Sequence, residues 1–557
     1  GSEMCIRDRA TISWLNNDKG FQLDGRNIDV KAKAVHARGG FRYLQPANDE
    51  PWLGILAGIS TDDGSQAWRY FPENLMGKDL VDYLSGAIQG GVADNATLVY
   101  GGNPQLFPYK HNEGQFEVLV PLRNAKFAFQ PDWPALTNLD IELDFINDGL
   151  WMKTDGVNLG GVRASNLTAV IPDYSKEKLL IDADIKGPGK AVGPYFDETP
   201  LKDSLGATLQ ELQLDGDVNA RLHLDIPLNG ELVTAKGEVT LRNNSLFIKP
   251  LDSTLKNLSG KFSFINGDLQ SEPLTASWFN QPLNVDFSTK EGAKAYQVAV
   301  NLNGNWQPAK TGVLPAAVNE ALSGSVAWDG KAGIDLPYHA GATYNVELNG
   351  DLKNVSSHLP SPLAKPAGEP LAVNVKVDGN LNSFELTGQA GADNHFNSRW
   401  LLGQKLTLDR AIWAADSKTL PPLPEQSGVE LNMPPMNGAE WLALFQKGAA
   451  ESVGGAASFP QHITLRTPML SLGNQQWNNL SIVSQPTANG TQVEAQGREI
   501  NATLAMRNNA PWLANIKYLY YNPSVAKTRG DSTQSSPFPT TERINFRGWP
   551  DAQIRCA

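Results

Sequence analysis

A five-residue phrase, apolar–any–apolar–Asn/Asp–Gly, recurs along this chain and constrains its fold more than any other feature. It reads Leu212-Gln213-Leu214-Asp215-Gly216, Val300-Asn301-Leu302-Asn303-Gly304, Val346-Glu347-Leu348-Asn349-Gly350 and Val375-Lys376-Val377-Asp378-Gly379, with an early copy at Phe21-Gln22-Leu23-Asp24-Gly25. Alternation at period two marks a strand with one face on an apolar surface and the other in water. The Asn-Gly or Asp-Gly pair reads as the φ > 0 turn of a two-residue hairpin. About a dozen such dipeptides occur, and together they predict a long antiparallel meander with one apolar face to hide.

The alternation continues between the phrases. Leu222, Leu224 and Ile226 alternate with His223 and Asp225, and Val239 and Leu241 with Glu238, Thr240 and Arg242. Phe262 and Phe264 follow, then Leu283, Val285 and Phe287, then Val298, Val300 and Leu302. Val346 and Leu348, and Val373, Val375 and Val377, extend the series. All are expected on one shared apolar face, as candidates to line an apolar groove. Uneven spacing excludes a solenoid of fixed period. About 30 strands at ~4.8 Å would span roughly 140 Å, and a twisted sheet of that length curls. The expected fold class is therefore mainly β: a long antiparallel, twisted and curled sheet forming an open apolar groove, with a few short helices.

Two segments break the period. A helix is expected near 77–89, with Leu80, Val81, Leu84, Ala87 and Ile88 on one face, and a second near 438–447. The second has Asn437 and Glu440 as a capping box and Gly448 as its stop. Residues 10–180 thus read as a β-rich segment with the first helix, and 181–415 as a continuous groove meander. Residues 416–527 read as the Pro-rich connector Leu420-Pro421-Pro422-Leu423-Pro424, the second helix and further strands. Gly1–Arg9 and Thr528–Ala557 carry no continuing period and read as non-native ends. They hold both cysteines, Cys5 and Cys556. A body without cysteine fits an oxidising compartment.

The 557-residue chain has a formal charge of −12, with 41% hydrophobic and 19% charged residues. This composition belongs to folded protein, and the absence of basic runs speaks against nucleic-acid binding. No apolar stretch approaches the ~20 residues that span a bilayer. A search for chemistry finds no catalytic residues and no metal site. His36, His111, His223, His339, His358, His395 and His462 are scattered, without metal-binding spacing. The glycine-rich run Gly187–Gly193 lacks the ending of a phosphate loop, and Asp62-Asp63, Asp182 with Asp184, and Asp140 with Glu142 and Asp144 sit where solvated charge is expected. Tryptophans such as Trp278, Trp306, Trp400, Trp413 and Trp441 are expected to cover core or edges rather than stack sugars. No cofactor and no enzymatic activity are expected.

The order of landmarks carries a resemblance. Trp68-Arg69-Tyr70-Phe71-Pro72 precedes the first helix, and Phe107-Pro108-Tyr109 leads to Gly114-Gln115-Phe116. Asp132-Trp133-Pro134-Ala135-Leu136, Thr199-Pro200-Leu201, Ile226-Pro227-Leu228, Gly237-Glu238-Val239-Thr240-Leu241 and Gly260-Lys261-Phe262-Ser263-Phe264 follow. Leu359-Pro360-Ser361-Pro362-Leu363, Gly438-Ala439-Glu440-Trp441-Leu442 and Tyr518-Leu519-Tyr520-Tyr521-Asn522-Pro523 complete the order. The chain resembles the large YhdP-type branch of the AsmA-like proteins of Gram-negative bacteria over roughly 10–527. That resemblance implies a periplasmic protein anchored to the inner membrane by an N-terminal helix that this fragment lacks. It also implies a curled β-groove conducting phospholipids from inner to outer membrane in support of outer-membrane integrity. Phospholipids, the inner membrane and envelope proteins are then the expected partners. The alternative is a non-catalytic structural or assembly protein of the envelope built of β-sandwiches, which alternation alone does not separate from the groove.

Overall fold

The computed structural model describes residues 9–523 and 553–556, apart from positions 72, 131, 201, 203–205, 230, 250–251, 313, 339, 404, 450–456, 459 and 509. The chain is mainly β with a few short helices. Its backbone contacts divide it into two units, Gly1–Ala276 with Asp286–Tyr296, and Ser277–Val285 with Gln297–Ala557. The sequence boundaries at 180 and 415 do not coincide with this division.

In the first unit, successive strands pair antiparallel and in a register that keeps one side apolar. Trp14 lies opposite Leu23, Leu23 opposite Tyr43, and Tyr43 opposite Leu53. Further on, Ile55 faces Tyr100 and Tyr100 faces Phe116, while Val118, Phe145, Leu150 and Ile171 form another line across four strands. Ala169 pairs with Ile181 and Ile181 with Leu224. Ala220 pairs with Val239, which pairs with Phe262. Because side chains alternate, a slip of one residue anywhere would turn the apolar set into water.

Part of this face is closed. The helix Lys78–Ala87 buries Leu80, Val81, Leu84 and Ala87. They join one cluster with Leu122, Leu139, Ile141, Leu150, Ile171, Leu179, Ile181 and Ile226. The expected helix is present and shorter at both ends. Tyr83 Oη donates to the Phe129 carbonyl at 3.1 Å, tying the helix to the loop beyond the strand Gln115–Phe127.

The second unit keeps the same rule. One line of cross-strand partners runs Gly330, Leu348, Val375, Gly388, Phe396 and Trp413. It continues through Leu431, Leu465, Ile482, Ala495, Ala502 and Ile516. The pairing is not antiparallel throughout, however. Leu406–Ala415 runs parallel to Gly428–Asn432, and that strand runs parallel to Ile463–Leu472. A parallel pair needs a crossover. The first is the Pro-rich connector, held where Asn397 Nδ2 donates to the Pro421 carbonyl at 3.3 Å and Arg410 Nη1 to that of Pro424 at 3.3 Å. The second carries the helix Gly438–Ala449. Asn437 caps its start: Ala439 N–H donates to Asn437 Oδ1 at 3.1 Å, and Asn437 Nδ2 donates to Glu440 Oε1 at 2.8 Å, a side-chain pair in place of the expected reciprocal capping box. The meander is also interrupted by a small cap, the helix Ala316–Asn319 and the paired strands Leu322–Gly324 and Val355–Ser357.

The recurring phrase does not mark hairpin turns. Gly25, Gly304, Gly350 and Gly379 lie within the strands Gly20–Lys31, Ala295–Trp306, Thr343–Asp351 and Ala372–Asn380. Only Gly216, at φ 93°, sits in a bend, and the strands on either side of it pair with the same neighbour, Thr234–Ile248. The physical reason is parity. A glycine four positions after the first apolar residue falls on the apolar face, and at Gly25, Gly304 and Gly379 an aromatic ring lies over it. A Cβ at Gly25 would lie 2.3 Å from the Phe41 ring, and one at Gly379 would lie 2.6 Å from that of Tyr344. A glycine inside a strand marks such close approaches. Turns fall elsewhere: Asn147-Asp148 between Ile146 and Gly149, and Asn266-Gly267 between Ile265 and Asp268.

The expected non-native ends lie largely outside the described residues. Residues 1–8, 524–552 and 557 lie outside the described residues, while Gln553–Cys556 forms a strand parallel to Leu513–Leu519. The four-residue strand is too short for its alternation to stand out in an otherwise aperiodic tail.

Closure of the first unit by its helix predicts a contrast. Leu84→Ala, at a side chain with 0% exposure, should cost about 2–5 kcal/mol in chemical denaturation. Leu56→Ala, at a side chain 65% exposed, should stay within about 0.5 kcal/mol.

Candidate functional site

The eighteen candidate positions fall on the apolar side of their strands wherever register is defined, but their burial differs. Ile226, Val239, Leu241, Leu283, Val285 and Val298 are buried. Ile226 belongs to the cluster closed by the helix, and Leu224 packs against it. Leu222, Phe262, Phe264 and Phe287 are half-buried, with Phe262 and Phe287 in ring contact at 5.6 Å. Val300, Leu302, Val346, Leu348, Val373, Val375 and Val377 are also half-buried. Along Thr343–Asp351 exposed and half-buried residues alternate, and none is fully buried.

The opposite side of the same strands is a polar ladder. Glu347 faces Lys376 at 3.6 Å, and Asn374 Nδ2 donates to Asn349 Oδ1 at 2.7 Å. Exposed pairs of this kind hold register and add little stability. The two sides of one strand therefore differ sharply in chemistry: Val346 and Leu348 point one way, Glu347 and Asn349 the other.

The groups examined for chemistry are dispersed. His36 Nε2 lies 2.7 Å from Asp29 Oδ1, and His223 Nδ1 lies 2.9 Å from Asp182 Oδ1. Both pairs sit on polar ladders. His395 is buried, and His339 lies outside the described residues. Among the described residues no group of three or more His, Cys, Asp or Glu could hold a metal ion. A cleft of about 740 Å³ borders Arg26, Arg38, Arg42 and Trp52. Its charge is largely paired: Arg42 Nε lies 2.8 Å from Asp24 Oδ1 and Arg38 Nε lies 3.3 Å from Asp29 Oδ2. The Arg42 hydrogen bond is the main cause holding the Asp24 carboxyl below the usual range.

Trp278 and Trp306, expected to cover core or edges, instead gather with Trp328, which the sequence reading did not single out, in an aromatic cluster at one end of the apolar face in the second unit. Trp278 stacks on Phe279 at 4.8 Å, Trp306 meets Trp278 at 6.2 Å, and Trp306 meets Trp328 at 4.8 Å. Parity was the available signal. Trp306 is four residues beyond Leu302, and Trp328 lies opposite Gly350, two positions beyond Leu348. Across the sheet from Tyr344, beyond Gly379, Phe384 stacks on Trp400 at 6.1 Å.

One misfit within the polar side yields a test. Asp144 Oδ1 is buried without a hydrogen-bond partner. Burial first, then the neighbouring Glu117 and Glu142, raises its pKa. A carboxyl raised on folding favours the folded state in acid and loses that contribution as pH rises through the raised value. Asp144→Asn should therefore stabilise the protein near neutral pH and have no such effect near pH ~3. Denaturation midpoints at both pH values check this, and an equal gain at both contradicts it.

Comparison with known proteins follows the same lines. The family model described as YhdP protein matches residues 6–557, a span that includes 528–557. The intermembrane phospholipid transporter YhdP of Escherichia coli (strain K12) is 98% identical over 548 residues, which cover 98% of this chain and 43% of that protein. The chain thus spans less than half the length of the curated relative it matches. No solved structure matches it. A mainly-β chain with alternating faces that matches the family model almost from end to end belongs to the YhdP protein family.

Proposed function

We propose that this chain holds the acyl tails of phospholipids against the uncovered parts of its apolar sheet faces, as a segment of a protein that moves phospholipid between membranes. The observation that carries this reading is the half-burial of Val346, Leu348, Val373, Val375 and Val377 on two adjoining strands. The interior of a β-sandwich would bury such residues fully against a second sheet. The relative's printed name, intermembrane phospholipid transporter, supports the same reading.

The energetics favour a trough of this kind. Some 30 tail methylenes in water cost on the order of 20–25 kcal/mol at ~0.8 kcal/mol each. An apolar strip keeps the tails dry while the head group remains in solvent. Lipid contact is assigned to Phe262, Phe264 and Phe287 in the first unit and to Val300, Leu302, Val346, Leu348, Val373, Val375 and Val377 in the second. Ile226 belongs to the buried cluster that the helix Lys78–Ala87 helps to close, Leu224 packs against it, and both serve as packing. The role needs no catalytic group. No described helix is long and apolar enough to cross a membrane. In the longer protein, a periplasmic position with an inner-membrane anchor and flow toward the outer membrane is the arrangement we favour, on the resemblance given above.

Val300 is half-buried and Asn301 is exposed, so adjacent residues test the faces. A photo-reactive side chain at Val300 should cross-link phospholipid in cell envelopes, and one at Asn301 should not. Val300→Glu should block lipid passage while the protein remains folded, because the carboxylate would be desolvated as tails pass at a cost of several kcal/mol. Equal labelling at both positions, or unfolding by Val300→Glu, favours the sandwich instead.

A further inference from the structure

Three tryptophans gather at one end of the apolar face in the second unit, and their indole N–H groups are not alike. Trp306 Nε1 donates to the Pro282 carbonyl at 2.7 Å. Trp328 Nε1 is buried and has no hydrogen-bond partner. An orphaned donor of this kind costs about 1–3 kcal/mol and calls for a partner or another explanation. The residue opposite Trp328 is Gly350, which places no side chain beside it. The nearest atoms to a Cβ placed there belong to Val326 and to Trp328 itself, at 3.3 and 3.5 Å. Glycine inside a strand marks a place where a ligand or another backbone comes close. Next along the same strand on the same face are Leu348 and Val346, which the preceding section assigns to acyl tails.

We propose that Trp328 is a glycerol-ester recognition residue, donating its indole N–H to an ester carbonyl of a diacyl phospholipid. This rests on the groove reading and deepens it. Tryptophan is suited to the position, since its ring lies with hydrocarbon and its N–H needs a polar partner at the boundary. A tail running along Leu348 and Val346 has its ester group at the tail's head-group end, so the aromatic end of the face is where the glycerol sits. The lipid then lies with a defined polarity across the strands, its tail ends toward Tyr344 and Phe384. Trp306, whose N–H is already satisfied, supplies ring surface and no hydrogen bond to lipid.

The chemistry separates this role from general packing. Dioleoyl phosphatidylethanolamine carries ester carbonyls, and its diether analogue has the same head and tail length without them. Wild-type protein should bind the diester roughly fivefold to tenfold more tightly than the diether, the worth of one such hydrogen bond. Trp328→Phe, which keeps a ring and removes the N–H, should abolish that preference. Trp306→Phe should retain it. A wild-type protein that binds both lipids equally, or a Trp328→Phe variant that keeps the preference, overturns the ester contact while leaving the groove intact. Failure of either lipid to bind wild-type protein overturns the groove reading and this contact with it.

Discussion

Cross-strand register is the constraint on which the rest of this molecule depends. Side chains alternate with a period of two, so each strand must meet its neighbour in phase or its apolar residues turn into water. The line from Gly330 to Ile516 shows the phase carried from partner to partner, even where the pairing changes from antiparallel to parallel. Polar ladders such as Glu347 with Lys376 hold the phase from the other side. Once register is fixed, one strand yields two surfaces of opposite chemistry. Function then follows from whether the apolar surface is covered.

Coverage is uneven. In the first unit the helix Lys78–Ala87 closes part of the face and creates a buried cluster that includes Ile226. Along Thr343–Asp351 the apolar side stays half-buried. Glycines contribute at this level too. Gly25 and Gly379 give up side chains on the apolar side so that the rings of Phe41 and Tyr344 can lie close to the sheet. The surface thereby gains broad aromatic area over bare backbone.

Much of the fold was legible in the alternation itself. Val300 against Asn301, and Val346 against Glu347, fall on opposite faces as the period requires. Both helices announced themselves through periodicity and, at Asn437 and Glu440, through capping chemistry. The meaning of the glycine phrase was not legible. A turn and an in-strand glycine beneath a ring share the same dipeptide, and only the cross-strand partner distinguishes them. The parallel strands Gly428–Asn432 and Ile463–Leu472 were hidden for a related reason. Alternation records which face a residue takes and carries no record of strand direction. The Trp306–Trp328 contact joins residues on different strands, so its geometry needed the fold. The burial of Ile226 in one cluster with a helix more than a hundred residues away in sequence could not be read from the alternation.

The central claim is that the side of the sheet bearing Val346 is open to lipid tails while the side bearing Glu347 is open only to water. Thiol accessibility measures this directly. Single cysteines at Val346 and Glu347, in a background with Cys5 and Cys556 replaced by serine, would be labelled with a water-soluble maleimide with and without phospholipid. The account predicts that both thiols react in lipid-free protein and that phospholipid protects Val346→Cys while leaving Glu347→Cys unchanged. A Val346→Cys thiol that is inert without lipid would show a face covered by protein, and one that reacts equally with and without lipid would show a face that lipid does not occupy. Either result contradicts the account.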